Sequence, residues 1–174
     1  MPSDAEITFA DHAGRLYARR YGMAPMVGRL LGYLMVCWPP EQSISELADA
    51  LLASRSAIAG AVGALENLGL VQRSRAAGER MDRVRIDRTS RRAWGFDVSE
   101  YREQGELARE GLEVLAHAPA ERRAVLLELA AFADFLVERL PRLEQEWNER
   151  RQALREGGQL PADPFHSRRK DDEG

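Results

Sequence analysis

Two short amphipathic segments, placed end to end between residues 43 and 73, restrict the fold of this chain most strongly. The first follows Ser45, which is placed to cap a helix, and its predicted inward residues are Leu47, Ala48, Leu51 and Leu52. The second follows the potential cap Ser54 and ends at Gly69, and its predicted inward residues are Ile58, Ala61, Val62, Leu65 and Leu68. The pattern therefore predicts two short helices joined by a tight turn.

The residues after the second helix alternate between apolar and polar side chains. The sequences "LVQRSRA" and "MDRVRID" have the two-residue period of a strand, and the "AGER" between them contains the glycine of a turn. They predict a β-hairpin. Helix, turn, helix and hairpin in this order predict a winged helix-turn-helix, a mainly α fold with a small β-hairpin wing.

Further helical patterns lie on both sides of these segments. An amphipathic helix is predicted from Asp4 to Arg20, and the nearly all-apolar "APMVGRLLGYLMVCW" predicts a buried central helix ended by two prolines. Helices are also predicted from Val98 to His117 and from Pro119 to about Leu154, with a kink or a break near Leu140 because of Pro141. We expect four regions: an N-terminal helix over 1–22, the winged helix-turn-helix over 23–92, a helical dimerisation region over 93–156 and a disordered tail over 157–174.

The last predicted helix carries apolar residues at alternating spacings of three and four. A heptad seam of this kind usually needs a partner helix, which favours a dimer. The seam consists of Leu126, Leu129, Ala133, Leu136, Leu140, Leu143 and Trp147. The alternative is that these residues pack against the helix from Tyr101 to Leu115 of the same chain, and both arrangements can hold at once.

The outward face of the second short helix has almost no side chains. At about 100° per residue, Ser56, Gly60, Gly63 and Asn67 point away from the core, with Ala59 on the flank. Glycine in an exposed helix interior costs about 0.8–1 kcal/mol relative to alanine, and close approach of the helix backbone to another surface can offset that cost. If that surface is DNA, Arg55 and Ser56 in the first turn are best placed to contact a guanine edge or a phosphate. The alternative is a contact with another part of the same protein.

Positive charge is concentrated beside this helix. The chain has a net charge of −3, yet residues 70–92 hold eight arginines and three acidic residues, a local charge of +5. Arginine suits bidentate phosphate contacts and a narrow minor groove, and Arg80 at the hairpin tip is the strongest single candidate. The predicted DNA-binding residues are Ser45, Ser54, Arg55, Ser56, Ala59, Gly60, Gly63, Arg73, Arg75, Arg80 and Arg83.

The sequence from Gly22 to about Arg88, with "SELADALLASRSAI" and "ALENLGLVQR", resembles the MarR superfamily of winged-helix transcription factors. The earlier "YGMAPMVGRLLGYLMV" is most similar to its GbsR-type branch. The resemblance implies a homodimer that binds a short inverted repeat, usually as a repressor and often released by a small ligand. It also implies that Ser54, Arg55 and Ser56 begin the recognition helix, and that Glu79 orients Arg80 for the minor groove. Ala59, Gly60 and Gly63 stand where the family commonly has larger polar residues.

An effector pocket is predicted where the apolar central helix meets the long helices. Its candidate lining residues are Tyr21, Tyr33, Met35 and Trp38, for which membership of the ordinary core is the alternative.

Other classes of function lack support in the sequence. A single cysteine, Cys37, excludes an intramolecular disulfide and a cysteine-clustered zinc site, and its apolar neighbours indicate a buried thiol. There is no catalytic, metal or phosphate-binding motif, so we expect no enzyme, metal or cofactor. No membrane span or secretion signal is recognisable, which favours the cytoplasm. The sequence predicts a DNA-binding regulator, and the alternative is a winged-helix protein-interaction module.

Overall fold

The structure is a computed structural model that describes residues 1–75 and 82–161. The chain divides into two units, Met1–Gly95 and Phe96–Gly174. The first unit contains, in order, α1 (Asp4–Tyr21), α2 (Pro25–Val36), β1 (Gln42–Ser43), α3 (Ile44–Leu51), α4 (Arg55–Asn67), β2 (Val71–Ser74) and β3 (Arg83–Ile86). The second contains α5 (Ser99–Val114) and α6 (Ala120–Glu156). These elements confirm the predicted mainly helical winged helix-turn-helix.

The helices α1 and α2 approach each other through small residues. A Cβ atom built on Gly32 would overlap the Cβ of Ala13 and lie 3.1 Å from the Cα of Ala10, and one built on Gly28 would lie 3.0 Å from the Cβ of Tyr17. No side chain fits between the two backbones at Gly32. Gly28 and Gly32 are one helical turn apart and share a face, a sequence signal for close helix packing that the apolar pattern around them concealed.

The core of the first unit joins α2, α3, α4 and the sheet. Its largest fully buried side chains are Leu30, Leu47, Leu51, Ile58, Leu65, Val62 and Val84. Burying a leucine or isoleucine side chain contributes about 1.5–3 kcal/mol, so this cluster holds the two short helices against α2.

The start and end of α3 differ from the prediction. Ser43 rather than Ser45 is the N-cap, because Glu46 stands three residues after it: the Glu46 amide donates to Ser43 Oγ at 3.2 Å and the Ser43 amide donates to Glu46 Oε2 at 2.6 Å. Leu52 was expected to point inward, but it ends α3 in the left-handed region at φ 50° and is 94% exposed. The left-handed turn directs its side chain away from the core.

The helix α4 follows the prediction except at its end. Ser54 is the N-cap, since its Oγ accepts a hydrogen bond from the Ala57 amide at 3.1 Å. Ile58, Ala61, Val62 and Leu65 are buried, as predicted. Leu68 is 40% exposed because α4 has ended at the preceding residue, so the expectation that it points inward was wrong.

The predicted hairpin is part of a three-stranded antiparallel sheet in the order β1-β3-β2. Val71 pairs with Ile86 and Ser74 with Arg83, and on the other edge Gln42 pairs with Val84. The strand β1 has two residues, too few for a periodic pattern. The hairpin tip, which includes Glu79 and Arg80, lies outside the described residues, as does most of the tail predicted over 157–174.

The second unit is a pair of packed helices of unequal length. Pro119 lies just before α6, which runs without interruption through Pro141 for 37 residues. The break considered near Leu140 was therefore wrong. Pro141 is exposed, so water can satisfy the carbonyl group that its missing N–H leaves without a backbone partner.

Within residues 1–75 and 82–161, no single helix is both long and apolar enough to cross a membrane. The bent pair α3 and α4 reaches the length and composition of a span only when both helices are counted together.

Candidate nucleic-acid interface

The helix α4 presents a bare outward face. The chain bends by 112° between α3 and α4, a typical helix-turn-helix geometry. Ser56, Ala59 and Gly60 are exposed and Gly63 is half-buried. A Cβ atom built on Gly60 or Gly63 meets no atom of the described residues within 4 Å. Packing within the unit therefore does not require these glycines.

The polar residues predicted for DNA contact gather at the first turn of α4. Ser54 Oγ lies 3.1 Å from Ser56 Oγ, and Arg55 Nη2 donates to Ser45 Oγ at 3.0 Å. Ser45 is not a cap, but it places the guanidinium of Arg55 beside the N-terminus of α4. Because the first amides of a helix carry a partial positive charge, this end is suited to a phosphate or another anion.

The arginines of the wing strands lie against carboxylates. Arg73 Nε is 3.0 Å from Glu66 Oε2, Arg75 Nε is 2.6 Å from Asp82 Oδ1, and Arg83 Nη1 is 3.2 Å from Glu46 Oε2. A fourth pair joins Arg85 Nη1 to Glu41 Oε1 at 3.6 Å. The hydrogen bond and the charge of Arg75 hold the pKa of Asp82 below its ordinary value.

These ion pairs change the charge expected from the sequence. Glu41, Glu46 and Glu66 lie outside residues 70–92, and their three charges reduce the local +5 to +2. A count along the chain misses carboxylates that folding brings from other elements. Arg75 keeps the most exposed side chain of the four paired arginines, at 60%, so it needs the least rearrangement to reach a phosphate.

The seam residues of α6 divide into two groups. Leu126 and Ala133 pack against α5 in the same unit: a Cβ atom on Gly111 would lie 2.8 Å from Leu126 Cδ1, and one on Gly105 would lie 3.2 Å from the Cβ of Ala133. Leu129, Leu136, Leu140 and Trp147 are half-buried, and Leu143 is 51% exposed. The alternative of packing within one chain therefore holds for the first half of the seam.

Part of α6 extends past α5. The contacts of Gly111 with Leu126 and of Gly105 with Ala133 show that the helices run antiparallel, which places the start of α5 near residue 139 of α6. At 1.5 Å per residue, α6 is about 55 Å long and α5 about 24 Å. Phe132 and Phe135 are each 55% exposed, a feature that the heptad pattern did not include. The second unit thus has an apolar surface that its own two helices do not cover.

Comparison with known proteins matches this chain to one family. A model of MmpR5-like MarR family transcriptional regulators matches residues 97–151, which span α5 and most of α6. The HTH-type transcriptional regulator MmpR5 of Mycobacterium tuberculosis (strain ATCC 25618 / H37Rv) is 34% identical over 122 residues, covering 70% of this chain and 73% of MmpR5. The chain belongs to the MarR family of transcriptional regulators. Among solved structures, one described as a transcriptional regulator superposes on this MarR-family chain with a TM-score of 0.76 and 28% identity, over 83% of this chain and 99% of that one. These relatives are regulators rather than enzymes, in agreement with the prediction.

The residues predicted to line one effector pocket line two cavities of this MarR-family chain. Tyr21 and Met35 lie in a cavity of about 540 Å³ between α1, α2 and the segment after β3. Tyr33 and Trp38 lie in another, of about 590 Å³, beside α3. The four residues are therefore not brought together, because Tyr33 and Met35 point to different sides of α2.

A short segment after the wing closes the first of these cavities. Asp87 Oδ1 accepts hydrogen bonds from the amides of Thr89 and Ser90 at 2.9 and 3.1 Å, and Trp94 Nε1 donates to the Arg88 carbonyl at 3.2 Å. This folded turn connects the end of β3 to the cavity wall. Sequence reasoning missed it, although the Asp-Arg-Thr-Ser run is a potential Asx turn.

The single cysteine of this regulator lies in the core. Cys37 is 6% exposed, and burial raises its pKa to about 11. The thiol is therefore protonated at neutral pH, which agrees with its interpretation as a small buried hydrophobe.

Proposed function

We propose that this regulator binds an inverted-repeat operator as a homodimer and represses transcription in the cytoplasm. The observation that carries the proposal is the bare outward face of α4, where nothing in the described residues lies within 4 Å of a Cβ built on Gly60 or Gly63. A helix with glycine at two positions in the middle of one face lets its backbone approach the floor of the major groove closely. The wing would then follow the neighbouring minor groove.

The proposed mode of recognition relies on few base contacts. Arg55 and Ser56 are the side chains nearest to the N-terminus of α4 that can reach base edges, and the next outward positions, Ala59, Gly60 and Gly63, offer only a methyl group or backbone. Phosphate contacts then supply most of the affinity, and groove shape supplies part of the specificity. Arg80, the proposed minor-groove residue, lies outside the described residues.

Salt dependence distinguishes this function from protein docking. We expect fluorescence anisotropy to show tighter binding to the chain's own upstream DNA than to a scrambled duplex. The log–log salt slope should be about −0.9 per phosphate contacted, because DNA binding releases counterions. A protein-interaction module would give no duplex binding even at low salt, and that result would replace the proposal with the alternative.

Two arginine variants test the assigned roles. Arg80→Ala should weaken binding to every duplex and reduce the salt slope by about one contact, whereas Arg55→Ala should also cost about 1–3 kcal/mol of preference among sequences. Arg102→Ala, an exposed arginine on α5, removes the same charge in the other unit and should change neither. An unchanged affinity and slope in Arg80→Ala would show that the wing assignment is wrong.

We also propose that the second unit forms the dimer. The support is the apolar surface of α6, where Leu143 remains 51% exposed beyond the reach of α5 and Phe132 and Phe135 are each 55% exposed. Two recognition helices related by a two-fold axis would match the half-sites of an inverted repeat.

A charge on the seam should separate the protomers. Leu143→Lys buries no charge in the single chain, because the side chain is already half exposed, yet it would place two lysines against the opposite helix. We expect light scattering to show a monomer at micromolar concentration. Leu127→Lys is the matched control: it lies on the opposite side of α6 and is 45% exposed. A dimer that persists in Leu143→Lys would remove the seam from the interface.

A small-molecule effector would have its site in the cavity of about 540 Å³. Its lining combines Tyr17, Tyr21, Met35 and Trp94 with the charged residues Asp87, Arg88 and Arg92. Such a lining suits an apolar ligand with an acidic group, and the cavity adjoins Ile86 at the end of β3. The GbsR-like branch assignment stays a prediction from the "YGMAPMVGRLLGYLMV" segment.

A further inference from the structure

A second cavity of the first unit lies apart from the proposed effector site, and it is linked to the predicted DNA-binding residues through Glu46, which pairs with Arg83. It has a volume of about 590 Å³ and lies among the start of α1, the end of α2 and the outer side of α3. The residues that matter for its chemistry are Glu6, Tyr33, Trp38, Glu46, Asp49 and Leu52. This volume is within the range of about 300–1,000 Å³ that is common for ligand sites.

The charged side chains that line this cavity are all acidic. Its lining includes three carboxylates and no lysine, arginine or histidine, and Met1 adds the positive charge of its α-amino group. Glu6 Oε2 accepts hydrogen bonds from the amide and hydroxyl of Ser3 at 2.6 and 2.8 Å, and the positive charge of the N-terminus also acts on this carboxylate. Glu46 is held in the same way by Ser43 and also lies 3.2 Å from Arg83 Nη1. Asp49 is exposed, and its carboxylate has no hydrogen bond or ion pair within the described residues.

The capping bonds keep two of these carboxylates ionised. Hydrogen bonds from Ser3 lower the pKa of Glu6, and hydrogen bonds from Ser43, followed by the charge of Arg83, lower the pKa of Glu46. The pKa of Tyr33 is raised, first by burial and then by neighbouring charges that include those of Glu6 and Glu46. The cavity wall is thus under a negative potential at neutral pH.

Aromatic and aliphatic side chains complete the lining. The ring of Tyr33 is 5% exposed, whereas Trp38 is 86% and Leu52 is 94% exposed. A ligand that covers these two large apolar side chains removes apolar surface from water, and this burial favours binding. Aromatic faces also attract cations, most strongly in the case of tryptophan.

We propose that this cavity binds an organic cation, a protonated amine attached to an apolar group. The amine would lie beside Asp49 and Glu6, and the apolar group would cover Trp38 and Leu52. Three carboxylates against the one α-amino group of Met1 disfavour an anion, and the exposed apolar side chains disfavour a hydrated metal ion.

Calorimetry with matched probes tests the charge requirement. Phenethylammonium chloride is the cation, phenethyl alcohol the neutral analogue and phenylacetate the anion, each titrated into the full chain without DNA. We expect the cation to bind at least tenfold more tightly than the alcohol, and the anion to give no heat. Equal affinity for the cation and the alcohol, or no heat with the cation at millimolar concentration, would overturn the proposal.

Variants that remove the charge of a carboxylate test where the amine binds. Glu6→Gln with Asp49→Asn should weaken phenethylammonium binding at least tenfold, while the fold persists because glutamine also serves in a capping box. Glu103→Gln with Glu110→Gln removes two exposed charges from α5 and should leave the affinity unchanged. The single variant Asp49→Asn, on an exposed side chain, provides the same test without any change to the cap of α1. Unchanged binding in both Asp49 variants would place the amine elsewhere.

Discussion

Replacing Gly60 by leucine should abolish operator binding and leave the fold intact. A Cβ atom at this position meets nothing within 4 Å, so the protein itself has room for the larger side chain. Leucine is also the better helix former by roughly 0.8 kcal/mol, so the free energy of unfolding should rise slightly. At the same time the side chain would separate the backbone of α4 from the floor of the groove. We expect the dissociation constant to increase at least a hundredfold, about 2.8 kcal/mol.

Anisotropy at fixed salt gives the affinity of this variant, and thermal unfolding gives its stability. Ala131→Leu adds a leucine side chain at an exposed helical position of α6 and should change neither quantity. Two results would contradict the prediction in different ways. Loss of folding would mean that the face of α4 is internal, and full operator affinity would mean that α4 does not approach DNA at Gly60.

Replacing Gly32 by leucine should instead destabilise the fold. Here a Cβ atom would overlap Ala13 and lie 3.1 Å from the Cα of Ala10, so α1 and α2 must separate to admit a side chain. Overpacking a core typically costs about 1–3 kcal/mol, and a leucine between two backbones stands at or above the top of that range. Since a domain of this size is stable by about 5–15 kcal/mol, Gly32→Leu should lower the free energy of unfolding, measured in urea, by at least about 3 kcal/mol.

A double-mutant cycle locates the cause of this loss. Gly32→Ala alone should destabilise through the overlap with the Cβ of Ala13, and Ala13→Gly alone should cost about 1 kcal/mol of helix propensity. The two changes together should cost less than their sum, because Ala13→Gly removes the overlapping atom. Strict additivity would show that the two positions do not meet.

The sequence predicted the elements of the proposed DNA surface because each has a local signal. The period of 3.6 residues predicted which side chains of α4 are buried, and tertiary contacts did not override it: they are Ile58, Ala61, Val62 and Leu65. Ser54 was recognisable as a cap from its residue type and its position before the first turn. The error at the start of α3 was also local. Both Ser43 and Ser45 can accept from a helix amide, and only Ser43 has a glutamate three residues later. The capping-box spacing therefore identifies Ser43 as the N-cap.

Properties that depend on distant residues were not predictable in this way. The pairing of Arg83 with Glu46 joins residues 37 positions apart, and the strand β1 exists only because β3 passes beside it. The division of Tyr21, Tyr33, Met35 and Trp38 between two cavities depends on the rotation of α2 against α1. A helix that crosses its neighbour through glycine has an orientation that a hydrophobic pattern alone does not define.

If the wing arginines contact phosphates as proposed, the carboxylates beside them should also influence how this regulator leaves DNA. Arg73, Arg75 and Arg83 each have a carboxylate of the same chain within 3.2 Å. When such an arginine loses its phosphate contact, it can pair again with the carboxylate of its own chain. Dissociation from a non-specific site therefore costs less electrostatic energy than it would for an arginine without such a partner. A genome offers roughly 10⁶–10⁹ competing sites, and rapid release from them shortens the search. In the proposed mode of binding, the paired arginines would favour short residence on random sequence, and the close fit of α4 would prolong residence at the operator.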